Sequence, residues 1–241
     1  MIAPRSLWTG NPHVDDWREP RLSDRTPIVK NDATAAPYDR VAFIDTDTRI
    51  VGDLSDVFQV LDRFHLALAH EPTRGWDYQT PAPPAFCELN TGFIVFRNSP
   101  EVRVFFDLWQ EEYRRTFTKQ GLRNDQPAFR SALWQSEHIR VATLPSEYHC
   151  ICGKPVSIAW EAKLLHDRGN LEFIEQEINR EQGYRAYVPG LGLVRGYRGR
   201  KSWLIGWLHL SWNALRVFVN PASLQGVPKK PHQWHLGEDG R

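Results

Sequence analysis

Five short, mainly apolar runs stand out along the chain, each bounded by polar or helix-breaking residues. Val41-Ala42-Phe43-Ile44 is uninterrupted, which predicts a strand buried on both faces, and it ends in Asp45-Thr46-Asp47-Thr48. Leu66-Ala67-Leu68-Ala69 and Phe93-Ile94-Val95-Phe96 have the same character, the latter introduced by Asn90-Thr91-Gly92. Ile139-Arg140-Val141-Ala142 is a fourth strand, and Lys163-Leu164-Leu165-His166, closed by Gly169, reads as a fifth.

Between these runs the period changes to that of a helix. Leu54, Val57, Phe58 and Leu61 recur at helical spacing, with Asp53 or Ser55 available as a cap. Ser99-Pro100-Glu101 places a cap, a proline and a first-turn acid before an apolar face of Phe105, Leu108, Trp109 and Tyr113. Asn124 caps a helix predicted to run through Trp134, and a last one is expected over 171–182, stopped by Gly183. Residues 1–37 are polar and proline-rich and read as mostly loop with one short element, and 71–87, with four prolines, as a long loop. Short strands alternating with helices predict an α/β fold with a mixed sheet flanked by helices.

Composition changes this picture in one respect. Across 241 residues the net charge is +1, but 182–237 contains no Asp or Glu and eight Lys or Arg. The rest of the chain therefore carries −7. We divide the chain into a domain over 1–183 and a basic, Trp-rich extension over 184–241, expected to pack on the same domain. Trp203, Trp207 and Trp212 lie among leucines and valines after Arg195, Arg198, Arg200 and Lys201. A basic cluster beside such a stretch also suits peripheral contact with an anionic membrane. No stretch of apolar residues is long enough for a transmembrane helix, no leader is legible at the N-terminus, and three cysteines do not make a disulfide framework. The expected location is cytoplasmic, with peripheral placement at the inner membrane face as an alternative. A near-neutral total charge and the lack of a stacking module argue against nucleic-acid binding.

Asp45-x-Asp47 is the sharpest chemical feature. In open α/β sheets the carboxyl ends of strands open onto the ligand crevice. Two carboxylates there repel each other, and a divalent cation with oxygen preference relieves that repulsion. A solvated turn capped by Asx side chains is the plainer reading of the same tripeptide.

The run Tyr38–Leu54, with Asp45-Thr46-Asp47 and then Gly52-Asp53-Leu54, resembles the DxD region of GT-A-fold nucleotide-sugar glycosyltransferases, nearest the glycogenin-like group. Leu89-Asn90-Thr91-Gly92-Phe93, Asn124-Asp125-Gln126-Pro127, Leu144-Pro145 with Tyr148, and Leu165-His166-Asp167-Arg168-Gly169 are similar to four further segments of that family, in the same order. The resemblance spans about residues 30–170. It implies a GT-A-like fold and transfer of a sugar from a nucleotide-diphosphate donor, of the UDP class, to an acceptor hydroxyl on a glycan, lipid or protein. It implies Mn²⁺ or Mg²⁺ at Asp45, Asp47 and His166, the imidazole suiting Mn²⁺ better. It puts Asn90, Thr91 and Gly92 beside the donor sugar, Gly92 permitting close approach, with Lys30 as a further donor contact. Asp125 and Gln126 are then expected at a helix N-terminus facing the sugar, in the catalytic role. The 44 residues before Asp45 are fewer than the family carries there, so the nucleotide-base pocket is expected to be incomplete. Two other readings stay open: a degenerate, non-catalytic transferase domain serving as a binding module, and a phosphatase of the haloacid-dehalogenase type, whose first motif also begins Asp-x-Asp.

Overall fold

The computed structural model describes residues 2–4, 34–72, 80–121, 124–167, 169–180, 183–195, and 207–208, 211–212, 214–215 and 218–219. Lys30 and most of the proline-rich segments lie outside the described residues.

The central sheet has five strands: β1 (Ile2–Pro4), β2 (Arg40–Ile44), β4 (Leu66–His70), β5 (Leu89–Arg97) and β6 (Val141–Leu144), in the order β1-β2-β5-β4-β6. It is mixed: β1 and β2 are parallel, as are β4 and β6, while β5 is antiparallel to both its neighbours. The α/β class expected from the sequence is the one found. β1 is the one short element described within 1–37; three residues ending in proline are too few to show a period.

Burial on both faces is visible in the core. On one face Val41, Leu66, Leu68, Ile94 and Phe96 pack against α2 (Pro100–Gln120) and α3 (Gln126–Gln135). Phe96–Phe106, Phe105–Phe129 and Trp109–Phe129 meet edge to face there, with centroids 5.1, 5.3 and 5.0 Å apart. On the other face Ala42, Ile44, Ala67, Phe93 and Val95 pack against Leu54, Val57 and Leu61. The helix expected there is a single turn, α1 (Val57–Val60). Asp53 does not cap it: its carboxylate accepts from the Ser55 backbone N–H and hydroxyl, closing an Asx turn before the helix.

Two small sheets complete the described fold. One pairs β3 (Thr48–Ile50), β9 (Leu164–His166) and β7 (Cys150–Ile151). The other joins β8 (Val156–Ile158), β10 (Arg185–Val188) and β11 (Gly192–Arg195). α4 (Leu171–Ile178) packs Ile174 and Ile178 on Leu165, Ile158 and Tyr187. It ends earlier than the expected stop at Gly183. Asn179 leaves the helix to exchange two hydrogen bonds with the Ala162 backbone, each 2.8 Å. The buried Arg185 donates to the carbonyls of Ile178, Gly183 and Trp160, each at 2.9 Å. Arg185 thus belongs to the interior, not to the basic surface that its place in the acid-free stretch suggests.

Candidate metal and donor site

Strand direction gathers the carboxylates at one edge of the central sheet. β2, β4 and β6 run toward that edge and β5 runs away from it. The residues just past β2 are Asp45 and Asp47, the residue just past β4 is Glu71, and the residue just before β5 is Glu88. Asp125 and Gln126 open α3 at the same edge, since Thr91 and Glu88 bond to them.

His166 reaches the Asp pair through strand register. β3 begins directly after Asp47 and runs antiparallel to β9, pairing Thr48 with His166. The Asp167 backbone N–H donates to the Asp47 carbonyl at 3.1 Å, and the Asp45 N–H to the Gly92 carbonyl at 2.8 Å. One ligand atom from each of Asp45, Asp47 and His166 falls within 4.8 Å of the others, and His166 Nε2 stands 3.2 Å from Asp47 Oδ1. Two oxygens opposite each other on one Mg²⁺ are about 4.2 Å apart, so closure by a few tenths of an ångström seats an ion. The donor set, two carboxylates and an imidazole, fits Mn²⁺ or Mg²⁺. Three nearby cations are engaged elsewhere: Lys154 with Glu71, Lys163 with Asp56, and Arg49 with Glu175.

Sequence reasoning missed His149. It is 2% exposed, and its Nε2 lies 2.7 Å from His166 Nδ1. The ring planes differ by 12° with centroids 4.9 Å apart, so the imidazoles meet edge to edge through those nitrogens. One proton occupies that contact. If His166 Nε2 binds a cation, its own proton sits on Nδ1 and is donated to His149 Nε2, which fixes the tautomer of the ligand. No local motif marks His149; the parallel pairing of β7 with β9, Ile151 opposite His166, carries it there.

Asn90-Thr91-Gly92 lies inside β5 rather than in a turn before it. A step of two residues on β4, from Leu68 to His70, is matched by a step of five on β5, from Ile94 to Leu89, so β5 bulges at this segment. The bulge re-aims all three side-chain positions. Asn90 Oδ1 accepts from the Gly92 N–H at 2.8 Å, and Asn90 Nδ2 donates to Glu71 Oε2 at 2.8 Å. Thr91 Oγ1 donates to Asp125 Oδ1 at 3.0 Å. A Cβ at Gly92 would stand 2.4 Å from His166 Cε1 and 2.8 Å from Nδ1, so the imidazole alone already calls for glycine here. The group that approaches its backbone is the imidazole of His166.

Behind this layer, Glu71 and Glu88 are 5% and 3% exposed. Glu71 holds Asn90 and pairs with Lys154; Glu88 accepts from Gln126 Nε2 at 2.8 Å. Glu71 follows the apolar run of β4 as Asp45 follows that of β2, so the strand-end rule that singles out Asp45 also finds Glu71. Asp125 is fixed from both sides: its carboxylate accepts from Thr91, and its carbonyl accepts from the buried Trp109 Nε1 at 2.9 Å. The N-cap of α3 is Asp125 rather than the expected Asn124, whose Oδ1 accepts from the Gln126 N–H at 3.0 Å and closes an Asx turn before the helix. The structure thus brings Asp45, Asp47, Gly92 and His166 into one cluster, and joins Asn90, Thr91, Asp125 and Gln126 to it through β5. The open groove beside it is lined by Asp47, Thr48, Arg49, Asp167 and Asn170.

No family model and no curated protein matches this sequence. Among solved structures, the chain is similar to the galactosyltransferase LgtC in complex with donor and acceptor sugar analogues, at 12% identity and a TM-score of 0.41, over 83% of this chain and 65% of that one. It is similar to mouse xyloside xylosyltransferase 1 at 13% identity and a TM-score of 0.37, over 54% of this chain and 58% of that one. For the glycosyltransferase GlyE of Streptococcus pneumoniae the figures are 16% and 0.38, over 80% and 46%. The chain spans 46% to 65% of the length of these three structures. All three are described as glycosyltransferases.

Proposed function

We propose that this chain transfers a sugar from a nucleotide-diphosphate donor, of the UDP-sugar class, to an acceptor hydroxyl, with Mn²⁺ or Mg²⁺ held by Asp45, Asp47 and His166. The observation that carries this reading is the convergence of two carboxylates and an oriented imidazole at the carboxyl ends of the strands. A bound divalent cation supplies positive charge against the diphosphate leaving group. The chain's own residues do the rest. Asp45 and Asp47 give the oxygens, and the backbone bonds to Gly92 and Asp167 hold them at the sheet edge. His149 keeps the His166 Nε2 lone pair directed toward Asp47. Asp125 and Gln126, anchored by Thr91 and Glu88, stand at the α3 N-terminus as the groups that face the donor sugar. Asn90 orders Glu71 beside them, and we assign Lys30 to the donor as well.

The test is turnover of UDP-sugars by the full chain with Mn²⁺ or Mg²⁺, followed as UDP release. The reading expects metal-dependent release that falls roughly 100-fold or more in Asp45→Asn and Asp47→Asn, because leaving-group charge is no longer balanced. Hydrolysis of a generic phosphoester without UDP release would replace it with the phosphatase reading. UDP-sugar binding with no turnover under any metal would replace it with the binding-module reading.

A further inference from the structure

Residues 83–88 run along one face of α3. Gln126, Arg130 and Trp134 follow one another at intervals of four residues, which stacks them on a single helical face, and each holds part of this segment. Gln126 Nε2 donates to Glu88 Oε1 at 2.8 Å. Arg130 donates from Nε to the Phe86 carbonyl at 3.0 Å and from Nη2 to the Pro83 carbonyl at 2.6 Å. The Phe86 and Trp134 rings meet edge to face, with centroids 5.2 Å apart. At the far end, the Glu88 carbonyl accepts from the Glu71 N–H at 2.9 Å, which ties the segment to the sheet.

An apolar side chain at position 88 would serve packing, and a carboxylate 3% exposed is costly there unless its hydrogen bonds are needed. What the carboxylate adds is a group that accepts and cannot donate. That property sets the polarity of Gln126. The two ends of a carboxamide have nearly the same shape, and a neighbour able both to give and to accept would hold either one. Glu88 accepts only, so Nε2 turns toward it and Oε1 turns away. Among the described residues none donates to Gln126 Oε1, and this oxygen is not one of the fully enclosed polar atoms.

Gln126 therefore offers a neutral acceptor oxygen at the N-terminus of α3, on the sheet edge that also carries Asp45 and Asp47. Such an oxygen receives a hydroxyl and repels a phosphate oxygen, whereas a cation among Asp45, Asp47 and His166 has the opposite preference. We propose that Glu88 is a positioning residue: it fixes the Gln126 carboxamide with its carbonyl oxygen toward the donor sugar, where that oxygen accepts from a sugar hydroxyl, an assignment that rests on the sugar-transfer reading.

The experiment pairs two measurements on the full chain. In the ligand-free protein, solvent exchange of the Gln126 side-chain amide protons is followed by nuclear magnetic resonance, the signal being assigned by its loss in Gln126→Leu. One proton should exchange slowly in the wild type and at least about tenfold faster in Glu88→Met, which removes the acceptor. Calorimetry in the presence of Mn²⁺ then gives affinities for UDP, UDP-galactose and UDP-glucose. Glu88→Met should leave UDP affinity unchanged and weaken UDP-sugar binding roughly 3–10-fold, the worth of one hydrogen bond. Glu88→Gln admits either orientation of the Gln126 amide, so it should lose only about twofold. A general disturbance of the site would instead weaken UDP and UDP-sugar alike. Fast exchange of both Gln126 amide protons in the wild type would overturn the proposal whether or not any variant at position 88 folds. So would equal losses for UDP and UDP-sugar in Glu88→Met, or no loss in either. A wild type that binds none of the UDP-sugars would refute the sugar-transfer reading and the sugar contact assigned to Gln126 with it, while the exchange measurement alone decides whether Glu88 orients the amide.

Discussion

Replacing Gly92 by Ala adds one methyl group where the structure has the His166 ring. The new Cβ would lie 2.4 Å from His166 Cε1, 2.8 Å from Nδ1 and 3.0 Å from Asn90 Oδ1. Carbon atoms settle at about 3.5–4.0 Å, so the ring has to move by roughly 1 Å. Gly92 is not among the glycines with positive φ, so the change carries no backbone penalty, and its effect comes from the clash alone. The ring is held on two sides, 2.7 Å from His149 Nε2 and 3.2 Å from Asp47 Oδ1, and a 1 Å displacement cannot keep both. Overpacking of this kind costs about 1–3 kcal/mol, and the lost imidazole contact about 0.5–1.5 kcal/mol more. Urea unfolding should therefore show Gly92→Ala less stable by roughly 2–4 kcal/mol. Mn²⁺ affinity, measured calorimetrically on the folded protein, should fall at least about tenfold, or roughly 1.4 kcal/mol. Adding Gly92→Ala to His166→Ala should cost little further affinity, because both act on one ligand. Wild-type stability and Mn²⁺ affinity in Gly92→Ala would refute the claim that this glycine exists to admit His166.

His149→Phe keeps a planar ring but removes the nitrogen that meets His166. It should weaken Mn²⁺ binding about 10–100-fold, as loss of an outer partner of a metal ligand does, checked by titration of the folded variant. On the opposite face, the buried Glu112 accepts from Ser131 at 2.7 Å and pairs with Arg115 at 2.5 Å. Burial alone would raise its pKa, but the hydrogen bonds from Ser131, Arg115 and Gln135 outweigh burial and hold it below the ordinary value. Such a carboxylate stabilises the fold above its unfolded pKa, and that contribution is lost as pH falls through the lower folded value. Glu112→Gln should thus be less stable by about 1.5–3 kcal/mol at neutral pH, with the gap narrowing below about pH 4.5, read by urea midpoints across pH.

Four of the five apolar runs folded as strands close to where their sequence placed them, because burial on both faces leaves an uninterrupted hydrophobic signature. The fourth run, 139–142, moved two residues onward to β6. The strands that escaped notice, β1, β3, β7, β8, β10 and β11, are two to four residues long, and a period cannot be read in so few positions. The same contrast governs the site. Asp45 and Asp47 were legible because carboxylates directly after a buried strand have no packing role. His149 was not, because a lone His in Tyr-His-Cys gains meaning only from a strand pairing across the chain. Asn90-Thr91-Gly92 was found but misplaced: Asn, Thr and Gly are turn residues by propensity, and here they form a bulge that tertiary bonds to Glu71 and Asp125 maintain. The Trp-rich apolar run after Lys201 was legible, while the exposure of Trp207, Leu208, Trp212, Leu215, Phe218 and Val219 was not, since apolar residues in sequence read as core.

The central claim, that Asp45, Asp47 and His166 form one cation site at the sheet edge, is tested most directly by Mn²⁺ binding without any substrate. Electron paramagnetic resonance of the full chain counts bound Mn²⁺, and the same titration is run on Asp45→Asn, Asp47→Asn and His166→Ala. The account predicts a single site per chain, weakened at least about tenfold by each of the three substitutions, with nitrogen hyperfine coupling from an imidazole ligand in the wild type that His166→Ala removes. Mn²⁺ bound equally by the wild type and all three variants, or bound by none of them, would contradict it.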